Sequence, residues 1–208
     1  MEEKRIKCLF LQELIKKKQE LLLASIEVPV IRGKRKFDIL TIEKRNIIGY
    51  EIKSKKDNLA KLDGQIQDYL KICDKVYVIL DQKFLNFNLK LPHNVGIIIF
   101  NDQTRKFILK KKPTKNTPNA YYQTFFITQS KLKEYRKNSK QSSFEIRHYI
   151  IQHFKKNKFK EMIINELKYR FLENFLLLKN ELQKNSDTIH PDDLFLLLGK
   201  ASIIKEKM

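Results

Sequence analysis

The chain has 208 residues, 42% of them hydrophobic and 14 of them Phe, enough for one well-cored domain, or a domain with a helical appendage, and too apolar for intrinsic disorder. Its 43 Lys and Arg against 24 Asp and Glu leave a formal net charge of +19, which favours anionic partners contacted mostly through phosphate; a lysine-rich, AT-biased genome gives the same excess. Two distant cysteines, Cys8 and Cys73, and four histidines with no ligand spacing exclude a disulfide scaffold and a common zinc site, and fit a reducing compartment.

In chain order, residues 2–22 read as a helix, with Ile6, Leu9, Phe10, Leu14, Ile15, Leu21 and Leu22 at three- and four-residue steps. Ser25–Ile31 is a short β-branched strand closed by Arg32-Gly33. Lys36–Glu43 and Asn46–Lys53 are two more strands, turning at Lys44-Arg45 or Arg45-Asn46. Asp57 is the expected N-cap of a helix to about Ile72, whose buried stripe is Leu59, Leu62, Ile66, Tyr69, Leu70 and Cys73. KVYVIL (75–80) and GIIIF (96–100) are continuous apolar runs, as in strands buried on both faces, and Lys106–Lys110 is a candidate further strand. The order predicts an α/β mixed sheet flanked by helices, over residues 1–112. The proline-broken KKKPTKNTP then opens a basic helical extension, 113–208, with helices near 120–138, 143–156, 159–184 and 191–206. His190-Pro191-Asp192-Asp193 is a helix-start signal, not a metal pair.

The chemistry concentrates between residues 37 and 69. Glu51 and Lys53, two apart on a strand, share a face. A turn at Lys44-Arg45 places Asp38 directly opposite Glu51, and a turn at Arg45-Asn46 places it opposite Lys53. Either even-length loop puts all three on one face, with opposed Cβ atoms roughly 4.5–5.5 Å apart. Two facing carboxylates call for a cation, and Mg²⁺ takes one or two carboxylates together with substrate phosphate. Lys53 is then placed to orient or deprotonate a water and to stabilise phosphoryl charge, with Gly49 leaving room for a phosphate and Gln65 reaching Lys53 or the phosphate from the helix. The Glu-x-Lys tripeptide alone is uninformative: it recurs at Glu2–Lys4 and Glu166–Lys168, and the same residues also serve as a solvated strand face.

The segment resembles the PD-(D/E)xK nuclease superfamily, whose core has the same order of helix, three strands, helix and strand. Asp38 stands at the family's second-strand aspartate and Glu51-Ile52-Lys53 at its D/E-x-K, with 12 residues between Asp38 and Glu51; Gln65-Ile-Gln-Asp-Tyr69 resembles the Q-x-x-x-Y of the recombination-exonuclease subgroup. GYEIKS (49–54), Asp57, Leu62, Gln65, Tyr69 and Pro92…Gly96 resemble more closely a family of small bacterial and phage proteins within that superfamily, where a glutamate lies eleven residues before the aspartate; Glu27 has that spacing. Phe37 replaces the proline of the superfamily's name. The likeness covers about residues 27–100.

The resemblance implies a Mg²⁺- or Mn²⁺-dependent deoxyribonuclease. Asp38, Glu51, the Ile52 backbone carbonyl and, as a further candidate, Glu27 would hold the metal, and Asp38, Glu51, Lys53 and Gln65 would form the catalytic set. Lys55, Lys56, Tyr69, Lys110, Lys111, Lys112 and Lys115 are the expected nucleic-acid contacts, with DNA as partner and RNA an open alternative. A protein of another class shares the pattern: a catalytically silent nuclease fold acting as nucleic-acid binder or scaffold. The KKKPTK loop reads as a phosphate clamp or a solvated linker, and Tyr121-Tyr122 and Phe125-Phe126 as core or as base-stacking rings. Phe171, Phe175–Leu178 and Leu194–Leu198 exceed one helix stripe, so they pack on the domain or form a homodimer or partner surface. Lacking an apolar run of about eighteen residues, a signal peptide and a GxxxxGK loop, the chain reads as cytoplasmic, off the membrane and without an ATP motor.

Overall fold

The apolar and polar residues between Leu21 and Lys53 lay three strands side by side in chain order, and the later apolar runs extend the same sheet. In the computed structural model, which describes residues 1–31, 33–184 and 188–198, helix α1 (Glu3–Lys17) precedes β1 (Leu21–Val30), β2 (Arg35–Glu43) and β3 (Asn46–Lys53). Helix α2 (Leu62–Leu70), β4 (Lys75–Asp81), β5 (Gly96–Asn101) and β6 (Lys106–Lys111) follow. The six strands form one sheet in sequence order, β1-β2-β3-β4-β5-β6. The first three pair antiparallel, β3-β4 and β4-β5 pair parallel, and β6 returns antiparallel to β5. The architecture is the mixed α/β sheet expected. Helix α2 supplies the crossover that the parallel β3-β4 pair requires.

Helix α1 packs Ile6, Phe10, Leu11 and Leu14 against the sheet face that carries Tyr50; the Phe10 ring meets Tyr50 at 5.1 Å and Phe107 at 5.0 Å. Helix α2 packs Ile66 and Tyr69 on the face that carries Gly49 and Glu51, with the Tyr69 ring 4.2 Å from Phe37. A Cβ on Gly49 would lie 2.8 Å from Phe37 Cε1 and 3.0 Å from Cys73 Sγ, so that glycine makes room for core packing and not for a phosphate, correcting the expectation. Both cysteines are free and buried.

In the sheet half of the chain, the α1-β1 boundary and the start of α2 differ from what the sequence predicts. Helix α1 stops at Lys17, because Leu21 and Leu23 enter the ladder with Glu43 and Ile42; Leu21 and Leu22 therefore open β1. Asp57 does not cap α2. Its carboxylate accepts from Ser54 N (2.7 Å) and Ser54 Oγ (2.6 Å), closing the turn that leaves β3.

Beyond Pro113 come α3 (Ala120–Gln123), α4 (Gln129–Lys133), α5 (Ser143–His153) and α6 (Lys156–Lys184). The helix expected near 120–138 is broken by a 3-10 turn at Thr124–Phe126. Helix α5 opens with a reciprocal cap between Ser142 and Glu145. Pro191–Leu197 is a 3-10 segment, and the rest of the helix expected to residue 206 lies outside the described residues. Phe126, Ile146, Phe159, Phe171, Phe175, Leu178 and Leu197 belong to the same continuous core as the sheet. Ser25 Oγ in β1 donates to Leu197 O (2.7 Å), and Lys160 of α6 pairs with Asp74 just before β4, tying the C-terminal segments to the sheet. Leu176, Leu177 and Phe195 remain about half exposed. Among the described residues no helix is long and apolar enough to cross a membrane.

Candidate active site

The β2-β3 hairpin turns at Lys44-Arg45, with Lys44 at a φ of 53°, and its ladder runs from Glu43↔Asn46 to Ile39↔Tyr50. This is the register that carries Asp38 toward Glu51. The ladder ends one pair short of them, however. Asp38 Oδ2 accepts from Ile52 N at 2.7 Å, taking the place of a ladder carbonyl where the strands part. At the same level Glu27 has a φ of 50°, between the pairs Ile26↔Ile39 and Val28↔Phe37 that keep β1 on β2 in one register. A left-handed non-glycine residue inside a strand costs on the order of 1–3 kcal/mol and recurs at functional sites. The β2-β3 ladder thus ends at the point where the acidic side chains gather, while β1-β2 and β3-β4 stay paired beyond it.

Two polar clusters meet at this point. In the first, the Lys7 ammonium from α1 lies 2.6 Å from Glu3 Oε1, 2.5 Å from Glu27 Oε1 and 3.2 Å from Asp38 Oδ1. One oxygen from each of Glu3, Glu27 and Asp38 lies within 4.8 Å of the others. In the second, the Lys53 ammonium lies 2.7 Å from Glu51 Oε1 and 2.9 Å from Gln65 Oε1. The other Glu51 oxygen meets the Tyr69 hydroxyl at 2.6 Å; that hydroxyl is also 2.6 Å from Lys36 O, so its single proton serves two acceptors. Glu51 is 2% exposed and Tyr69 fully buried.

Burial, and after it the charge of Glu51, pushes the Asp38 carboxyl up, to about 7, against the pull of Lys7. For Lys7, burial opposes the charge, but Asp38, Glu3 and Glu27 outweigh it and hold the ammonium above its ordinary range. Burial and Glu51 drive the Tyr69 hydroxyl well above its usual value, so it stays a neutral donor.

The donors are all carboxylate oxygens, the ligand type of Mg²⁺ and Mn²⁺, and the Glu3, Glu27 and Asp38 oxygens are close enough together to serve one cation. The set fits a hard divalent ion. It differs from the expected one: Asp38 and Glu27 come together with Glu3, while Glu51 is turned to Lys53 and Tyr69, and Ile52 meets Asp38 through its N–H. Glu3 and Lys7 were not foreseen. Their signal lay in the α1 pattern, where Lys7 adjoins Ile6 on the stripe continued by Phe10, Leu11 and Leu14, with Glu3 one turn before it.

The family model described as "Bacteriophage P4 protein cII" matches residues 1–198. The chain belongs to the bacteriophage P4 protein cII family. A curated relative, protein cII of Enterobacteria phage P4, is 26% identical over 154 residues, covering 70% of this chain and 58% of the relative. The chain thus spans less than two thirds of the curated cII protein's length. Among solved structures, a protein of unknown function from Silicibacter pomeroyi overlaps 70% of this chain and 76% of its own, at 18% identity and a TM-score of 0.36.

In this cII-family chain the expected nucleic-acid contacts divide. Tyr69 has no exposed surface, and its hydroxyl is taken up by Glu51 and Lys36 O, which leaves it no surface to offer a nucleic acid. Lys55 and Lys56 follow β3 beside the site, paired with Asp102 and Glu2. Lys110 and Lys111 lie on β6, three strands from β3, and Lys112 follows them. Lys115 lines a separate cleft of about 470 Å³ with Arg45, Lys156 and Lys160. That cleft sits at the Arg45 end of the sheet, away from Lys53. Phe126 is core, whereas Tyr121, Tyr122 and Phe125 are half-buried and meet one another edge-on or tilted, Tyr121 also meeting Phe144 and His148 of α5.

Proposed function

We propose that the protein is a Mg²⁺- or Mn²⁺-dependent nuclease that hydrolyses DNA phosphodiester bonds. The observation that carries this reading is the Lys53 ammonium held between Glu51 and Gln65, beside the end of the β2-β3 ladder where Glu3, Glu27 and Asp38 converge. A solvated strand face needs neither a lysine 11% exposed nor a glutamate 2% exposed. The PD-(D/E)xK resemblance of residues 27–100 supports the same assignment.

In this reading Asp38, Glu27 and Glu3 supply the cation's ligands. A bound divalent ion would polarise the phosphate and acidify a water. Glu51 and Gln65 fix Lys53, whose ammonium orients the attacking water and faces the charge that develops on the phosphoryl oxygens. Tyr69, through its hydroxyl, fixes the second oxygen of Glu51. Lys55 and Lys56 stand at the site for the phosphate backbone, and the +19 charge draws the polyanion in.

A screen of linear, circular, single-stranded and branched DNA, and of RNA, with Mn²⁺ or Mg²⁺ tests the proposal. Cleavage of at least one DNA form, absent with EDTA, is expected. A second reading, a silent nuclease fold that binds nucleic acid or serves as a scaffold, is favoured by one observation: the Lys7 ammonium already lies among the oxygens that would hold the metal. Equal DNA binding with and without metal, and no cleavage of any substrate, would select it.

A further inference from the structure

Lys7 is an unusual residue to find on the inward stripe of a helix. Its side chain is 4% exposed, and its ammonium reaches one carboxylate from each of α1, β1 and β2. Three carboxylates brought together without a cation would repel one another and open the site. The ammonium supplies that cation from within the chain. The same three oxygens have the mutual spacing of a divalent ion's ligands, so ammonium and ion compete for one place.

We infer that Lys7 is the resident counter-ion of the site and sets its affinity for divalent metal: its ammonium holds the carboxylates assembled in the metal-free protein, and metal enters by displacing it. The inference rests on the reading of this cluster as a metal site. Three features favour displacement. The Lys7 stem is four flexible carbons, so the ammonium can leave while α1 stays packed through Ile6, Phe10 and Leu11. Glu3 and Glu27 are about one-third exposed, leaving a path from solvent to the cluster. Lys53 is not the competitor, because Glu51 and Gln65 hold it in the neighbouring cluster. Lys7 is accordingly a positioning residue that determines cation occupancy. A single ammonium yielding to a dication makes metal loading a competition and not the filling of an open cage.

The test is titration of the full chain with Mn²⁺, followed by electron paramagnetic resonance of free ion and by thermal unfolding. Wild type, Lys7→Met and Lys7→Met/Glu27→Gln are compared. Lys7→Met is expected to bind Mn²⁺ at least tenfold more tightly than wild type. Without metal it is expected to melt lower, with Glu27→Gln restoring part of the loss by removing one uncompensated carboxylate. A Lys7→Met chain that fails to fold without metal is expected to fold in Mn²⁺, the ion replacing the lost ammonium. A purely structural lysine would not raise affinity on removal. If wild type binds Mn²⁺ and Lys7→Met binds it no more tightly, or an unfolded Lys7→Met is not recovered by Mn²⁺, the counter-ion role is wrong while the metal site stands. If neither protein binds Mn²⁺, the metal reading fails and the inference falls with it.

Discussion

Replacing Tyr69 with phenylalanine removes one oxygen and leaves the ring against Phe37. That oxygen lies 2.6 Å from Glu51 Oε2 and 2.6 Å from Lys36 O, and Glu51 is 2% exposed. The variant therefore leaves a buried carboxylate oxygen without its donor. An unsatisfied buried polar group costs about 1–3 kcal/mol, with charged groups at the upper end. For a chain of this size, each kcal/mol moves the melting temperature by about 2–4 °C, giving a predicted fall of about 2–12 °C for Tyr69→Phe. Differential scanning calorimetry of the metal-free protein measures it, alongside DNA affinity at fixed salt. Affinity is expected to hold, because Tyr69 has no exposed surface, while any cleavage weakens as Glu51 loses its second anchor. A melting temperature within about 1 °C of wild type, together with weaker DNA binding, would refute the reasoning and return Tyr69 to the nucleic-acid surface.

Two further perturbations test the geometry. The Asp38 carboxyl lies above its unfolded value in the folded protein, so between about pH 4 and about pH 7 the folded state binds the extra proton and stability falls as pH rises. Below that window the penalty is absent and above it fully present. Asp38→Asn is expected to remove this component from metal-free unfolding curves; an unchanged slope would remove the raised pKa. Gly49→Ala places a methyl against Phe37 and Cys73, both fully buried, and is expected to destabilise by about 1–3 kcal/mol in urea unfolding. A neutral result would mean that Phe37 does not cover β3.

Much of the sheet was readable because its signals are local. The alternation in 36–53 and the polar Lys44-Arg45 left two registers, and the continuous β-branched runs 75–80 and 96–100 carry the pattern of buried strands. The α1-β1 boundary was not, since Leu21-Leu22-Leu23 continues the helix's apolar steps and no Gly or Pro interrupts them. The start of α2 was misplaced because Asp57 has a cap's chemistry but spends both contacts on Ser54. Strand parity and helix spacing brought out Glu51, Lys53 and Gln65, which the structure sets together, but parity also placed Asp38 on their face, whereas Asp38 joins the Lys7 cluster and its neighbour Phe37 packs on the Gly49 face. Glu3 and Lys7 were missed because charged residues on a helix normally face water, and only the docking of α1 over the parted strands turns them inward. The parting itself, with Asp38 bonded to Ile52 N, and the left-handed Glu27 are backbone events that no alternation pattern encodes.

In the proposed function Lys53, held by Glu51 and Gln65, serves metal-dependent hydrolysis. The most direct measurement is the rate of plasmid nicking in Mn²⁺ by wild type, Glu51→Ala and Lys53→Ala prepared in parallel, with DNA affinity measured on the same samples. Wild type is expected to nick and EDTA to abolish it. Both variants are expected to lose at least a hundredfold in rate while keeping salt-dependent binding. Nicking that persists in both variants, or a wild type that binds the plasmid and leaves it intact, would contradict the proposed role of Lys53.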